Sequence, residues 1–106
     1  MDTLDQVNAI RDLLDDLYDK ELPQDQLDEI NKFRIYFSNL ADELLANQLN
    51  ADDSSVISAN ARIGQAIVSI NASLQDLSKV TQTINDISIA ANALNQIGGL
   101  VLKYIL

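Results

Sequence analysis

Apolar residues recur along this chain at alternating steps of three and four, the spacing that lines one face of a helix. Val7, Ile10, Leu13, Leu14 and Leu17 mark a first helix over about 4–20, and Thr3 with Gln6 three residues on has the form of a capping box at its start. Leu22-Pro23 stops it, because proline disfavours helical geometry in the residue before it and suits the first turn of a new helix. Leu27, Ile30, Phe33, Phe37, Leu40, Leu44 and Leu45 then mark a second helix over about 24–49. The polar run Asn50-Ala51-Asp52-Asp53-Ser54 reads as a loop in which Asp53 or Ser54 caps the next helix.

Beyond the loop the pattern splits into two runs. Ile63, Ile67, Ile70, Leu74 and Leu77 form one, and Val80, Ile84, Ile87, Ala91 and Leu94 the other, but they are out of step. The position in register after Leu77 is Thr81, whereas the second run begins at Val80. Ser78, Thr81 and Thr83 are weak helix formers with capping ability, and Thr83 with Asp86 has capping spacing, so the pattern allows a break at 78–83. With the break, the chain has helices at about 4–20, 24–49, 55–77 and 83–97 and closes as an antiparallel up-down bundle. Without it, helix three runs for about 65 Å at about 1.5 Å per residue, which leaves half its length unpartnered and predicts a coiled-coil-like dimer. Natural helices average about 11–12 residues, which favours the break. The expected fold is therefore all-α: one domain over 1–106, a small helical bundle of three or four helices, with an apolar tail at 98–106 in which Gly98 ends the last helix in left-handed geometry.

Charge divides the same chain in two. Residues 1–53 hold 14 acidic against 4 basic residues, a net of −10, and residues 54–106 hold 2 acidic against 3 basic, a net of +1. The second half places Ser, Thr, Asn and Gln at 18 of its 53 positions and charge at only 5, with Ala59, Ala66 and Ala72 widening the apolar stripe. A helix of that composition is expected to be covered on more than one side, as the central helix of a bundle or within a homo-oligomer. Neither half clusters Lys and Arg, so nucleic acid is not an expected partner. A basic protein surface is, because the acidic half attracts it.

The residue inventory narrows the chemistry further. Without His or Cys the chain lacks the commonest neutral-pH base, the commonest metal ligand, a thiolate nucleophile and any disulfide. No glycine-rich phosphate loop is present, and a serine nucleophile would depend on Lys20, Lys32, Lys79 or Lys103 as base. Asp12, Asp15, Asp16 and Asp19 share one helix face at i, i+3, i+4 and i+7, and a solvated acidic face is the better reading than a metal site. The loop at 50–53 has oxygen ligands but lacks the glycine and the distal glutamate of a calcium loop. No catalytic residue, cofactor or metal is therefore assigned, and the chain is expected not to be an enzyme.

The expected function is protein–protein interaction by a regulatory bundle. The residues assigned to partner binding are the ladder Asp12, Asp15, Asp16 and Asp19, then Arg34 and Tyr36 beside the core stripe, then Leu100 and Tyr104 in the tail. Arg34 has no carboxylate three or four residues away, so its counter-ion must come from another helix or another chain, whereas Lys32 has Asp28 and Glu29 at pairing distance. Two alternatives accompany this reading. One is a membrane-adjacent protein that inserts its weakly charged region 84–106; the other is an acidic inhibitor that fills a basic groove. The acidic start is unlike a secretory signal and no stretch reaches about 20 apolar residues, so cytoplasmic residence is the default expectation, with signal-independent export beside it.

Overall fold

The computed structural model describes residues 2–98 and Leu100. They form four helices: α1 (Thr3–Tyr18), α2 (Gln24–Ala46), α3 (Ser54–Gln75) and α4 (Val80–Asn95), with a single 3-10 turn at Leu77–Lys79 and no strand among the described residues. The bundle measures 38 × 21 × 20 Å.

The start of α1, the end of α2 and the start of α3 meet at one end, around Thr3, Leu44 and Val56. At the other end Gln26 donates a hydrogen bond to Thr81, bringing the starts of α2 and α4 together at 3.1 Å. The helices therefore alternate in direction along the chain. Their arrangement around the bundle is not the plain sequential one, however, because α1 packs against both α2 and α3, α4 packs against α3 and α2, and α2 and α3 occupy opposite corners. The 47–53 connection crosses the end of the bundle diagonally, so α1 lies beside α3 in parallel orientation.

Side-chain size sets the spacing of these pairs. The α3–α4 pair approaches most closely, with Ala59, Ala66, Ala90 and Ala91 wholly buried, whereas α2, which carries the buried Phe33 and Phe37, touches α4 lightly. Small residues bring helix axes together and aromatic ones hold them apart. One continuous core results, from Val7, Ile10, Leu14 and Leu17 of α1 to Val80, Ile87 and Leu94 of α4.

Local chemistry explains where the helices end, and it departs from the expected caps in four places. Asp2, not Thr3, caps α1, its carboxylate accepting from Asp5 N at 2.8 Å. Thr3 is buried instead and donates to Asn60 Oδ1 at 2.7 Å, while Gln6 Nε2 donates to the Asn60 carbonyl at 3.2 Å. The pair that resembles a capping box is thus a tether to α3. Next, α3 ends at Gln75 because Asp76 takes an extended conformation (φ −149°, ψ 99°) and its carboxylate accepts from both the amide (3.1 Å) and the hydroxyl (2.7 Å) of Ser78. Such a local turn competes with the helix, so the interruption spans 76–79, beginning at Asp76 and overlapping the start of the expected 78–83. α4 accordingly starts at Val80, and Thr83 sits inside it, wholly buried, rather than capping with Asp86. Finally, Gly98 does not adopt left-handed geometry; α4 closes through Gln96 and Ile97, whose amides donate to Ala93 and Leu94.

Asp53 caps α3 as expected, accepting from Ser55 N at 2.8 Å. Hydrogen bonds from Ser55 hold the pKa of Asp53 below the usual carboxylate value, and those from Ser78 do the same for Asp76. A carboxylate whose folded pKa is depressed stabilises the fold above its unfolded value and loses that contribution as pH falls through the folded one. The melting temperature of Asp53→Ala should therefore lie below wild type at pH 7 and converge on it below the usual carboxylate range, as thermal melts across pH will show. Helix-interior Gly64 offers the opposite change: a methyl added there meets Gln6 Nε2 at 3.7 Å, an ordinary contact. Gly64→Ala should raise stability by about 0.5–1 kcal/mol, read from urea melts.

Candidate interaction surfaces

The four aspartates of the α1 ladder are all exposed, and the structure separates them into two groups. Asp15 accepts from Arg34 Nε at 2.8 Å, across the α1–α2 seam. The same guanidinium donates to Asn31 at 3.1 Å and lies 4.3 Å above the Tyr18 ring. Arg34 thus finds its carboxylate on another helix of its own chain, as the lack of a local counter-ion requires. A pair this exposed contributes at most about 1 kcal/mol. Its effect is to anchor α2 against α1.

Asp12, Asp16 and Asp19 have no ion-pair partner among the described residues, and together with Asp5 they point away from the bundle on the α1 surface opposite its core stripe. Three of the four bases of this half are engaged elsewhere: Arg34 on Asp15, Arg11 donating to Ser38 at 3.1 Å and to Asn8 at 3.0 Å, and Lys32 pairing with Glu29 at 3.2 Å; exposed Lys20 follows Asp19 directly. The outward face of α1 is therefore a strip of net negative charge, with Lys20 at its end the one base beside it.

Tyr36 is not at the surface. Only 5% of it is exposed, its ring stands edge-on to Phe37 at 5.0 Å, and its hydroxyl donates to Asn95 Oδ1 at 3.3 Å. Burial, aided by Glu43, pushes its pKa well above the usual tyrosine value. Its assignment to a partner surface is corrected: three residues from Phe33, the ring joins the core and the hydroxyl reaches α4. Leu100 is likewise buried, at 5% exposure, in the same core cluster, so it too is withdrawn from the partner surface. Tyr104 lies outside the described residues.

The α3–α4 interface holds a polar cluster that helical spacing alone does not reveal. The Thr83 hydroxyl donates to the Ser69 carbonyl at 3.0 Å, Ser69 Oγ donates to Asp86 at 2.8 Å, and Ser73 bonds Thr83 directly. Each hydroxyl has one proton. With those of Thr83 and Ser69 committed, Ser73 must be the donor in its bond to Thr83. Gln82 completes the cluster by donating to Asp86 at 3.0 Å. A sequence signal existed in Ser73 and Thr83, polar residues at core-facing steps. The buried hydroxyls of Ser73 and Thr83 are paired inside the protein, which makes this a lock between helices.

The opposite side of α3 is nearly free of charge. Ile57, Ala61 and Val68 share its outward face, with Ile57 and Val68 largely exposed and Arg62 the one charged residue of the helix. At the end of the bundle a cleft of about 360 Å³ opens among Leu4, Leu44, Leu45, Leu49 and Val56, rimmed by Asp2. No group of three or more metal-ligand side chains gathers among the described residues, and no described helix is long and apolar enough to cross a membrane. The fold places the chain in the class of all-α four-helix bundles. No family model, curated protein or solved structure matches it.

Proposed function

We propose that this chain is a non-enzymatic interaction module that uses the open acidic face of α1 to attract a basic protein partner. The observation that carries the reading is the contrast within the ladder: Asp15 is consumed by Arg34, while Asp12, Asp16 and Asp19 are exposed and have no ion-pair partner among the described residues. Uncompensated like charges on one helix face repel one another and weaken the fold slightly, a cost that a partner's cations relieve. The uncharged outward face of α3, with Ile57 and Val68, supplies apolar contacts that hold a partner once it is steered in. Commitment of Ile87, Ala91 and Leu94 to the core favours this reading over release of α4 into a membrane.

The test uses a photoreactive residue at Asp16 to capture partners in cells, followed by association kinetics with the purified partner. The rate should fall with added salt, and Asp12→Asn, Asp16→Asn and Asp19→Asn together should lower it at least tenfold at low salt while leaving the melting temperature intact. A rate independent of salt overturns the proposal. Loss of all binding in the triple variant, with Val68→Ser binding normally, indicates instead an acidic inhibitor that needs charge alone.

A further inference from the structure

We propose that the uncharged outward face of α3 is a self-association surface, on which a second copy of this chain packs antiparallel. Hydrogen bonds fix the flanks of that face: Asn60 is bonded to Thr3 and Gln6 of α1, and Ser69 to Asp86 of α4. Between these flanks Ile57, Ala61 and Val68 follow one another at steps of four and seven, and Ala72 continues the line four residues on. Ile57 is 56% exposed and Val68 69%, so α3 carries a second apolar stripe that its own chain leaves uncovered. Covering it removes apolar area from water, the main drive for association.

Charge and shape together select a copy of the same chain as the occupant. Residues 1–53 carry a net charge of −10, so surfaces built from that half repel a second copy. Over 54–98 the charges are Arg62 and Lys79 against Asp76 and Asp86, which cancel. The α3 face is thus where two like-charged chains meet at the least electrostatic cost. A two-fold contact must also be self-complementary, with residue i against j and j against i. An antiparallel two-fold placed between Gly64 and Gln65 brings Ile57 level with Ala72 of the second copy and Val68 level with its Ala61. Each layer then sets one large side chain beside one small one, which lets the two helices interdigitate closely. The matched stretch from 57 to 72 is about 22 Å long at about 1.5 Å per residue. A single helix-on-helix contact belongs to the small end of specific interfaces, below about 1,200 Å², so the dimer forms reversibly and depends on concentration. It does not rest on the basic partner, since it needs only the purified chain, and a partner held by Ile57 and Val68 competes with it.

Sedimentation equilibrium of the purified full chain, up to about 1 mM, should show monomers in exchange with dimers. Added salt should tighten the dimer, because it screens the repulsion between two chains of charge −9, whereas salt weakens capture of a basic partner on α1. Ala61→Glu, at an exposed helical position, should raise the dissociation constant at least tenfold with the circular dichroism spectrum unchanged. Ile35→Glu, at a site as exposed as Ile57 but on α2 at the opposite corner of the bundle, should leave it unchanged. The chain has no cysteine, so single-cysteine variants read the orientation. A disulfide requires Cα atoms within about 7 Å. Two Gln65→Cys chains meet beside the two-fold and should oxidise to a linked dimer at least tenfold faster than two Gln75→Cys chains, whose sites lie about 30 Å apart. A chain that stays monomeric at about 1 mM overturns the proposal. So does a dimer that salt weakens, that Ala61→Glu leaves intact or Ile35→Glu disrupts equally, or that links the two cysteine variants at equal rates.

Discussion

Phe33→Ala should remove about 3–5 kcal/mol of stability, the cost of deleting a wholly buried aromatic side chain and leaving its cavity. Domains of this kind have about 5–15 kcal/mol in total, and each kcal/mol moves the melting temperature of a chain this size by about 4–8 °C. A drop on the order of 20 °C is therefore expected in a thermal melt. The loss should be this large because Phe33 is among the largest wholly buried side chains of the single core cluster. Phe33→Leu, which refills much of the cavity, should recover at least half of the loss.

Thr83→Val is expected to cost about 2 kcal/mol although valine has nearly the shape of threonine. The substitution removes an acceptor from Ser73, whose buried hydroxyl then has no partner in the cluster, and a donor from the Ser69 carbonyl. Orphaning buried polar groups costs about 1–3 kcal/mol. Thr83→Ser keeps the hydroxyl and gives up one methyl, about 0.8 kcal/mol. Urea melts should therefore rank serine above valine at this position. A position that needed only apolar bulk would show the reverse order.

The core stripes were legible from spacing alone: Val7, Ile10, Leu14 and Leu17 in α1 and Ile30, Phe33, Phe37 and Leu40 in α2 are all wholly buried. Helical periodicity encodes which face is covered, and burial follows that face. Pro23 also marked the start of α2 correctly, since its fixed geometry immediately precedes Gln24. Leu45 and Leu77 fell off their stripes, the first beside the end cleft and the second at the break, because a stripe has no buried face where its helix stops.

What spacing hid depended on contacts between helices. The tether from Thr3 and Gln6 to Asn60 exists only because α1 and α3 are parallel neighbours, an arrangement produced by the diagonal crossing of 47–53. The phase slip between Leu77 and Val80 announced a break, but its position was set by Asp76, whose carboxylate is satisfied within its own turn by Ser78. On the surface, the exposed acidic ladder was readable as a pattern. The removal of Asp15 and Arg34 from it was foreshadowed only by the lack of a local counter-ion for Arg34. Tyr36 misled because aromatic and basic residues beside a stripe resemble an interface, whereas its hydroxyl had a partner waiting on α4.

All of this rests on the chain folding back at Asp76, so that α4 returns along α3 and completes the bundle within one molecule. Spin labels at Ser58→Cys and Gln96→Cys, both exposed, test that directly when the labelled protein is diluted into unlabelled chains. The bonds of Ser69 and Ser73 to Thr83 and of Ser69 to Asp86 set the antiparallel register that places residues 58 and 96 at the same level. Neighbouring helix axes lie about 8–10 Å apart, so a short separation, on the order of 10 Å between backbones, is the expected result. A continuous helix through 78–83 would hold the two sites about 57 Å apart at about 1.5 Å per residue, and that distance would contradict the closed bundle.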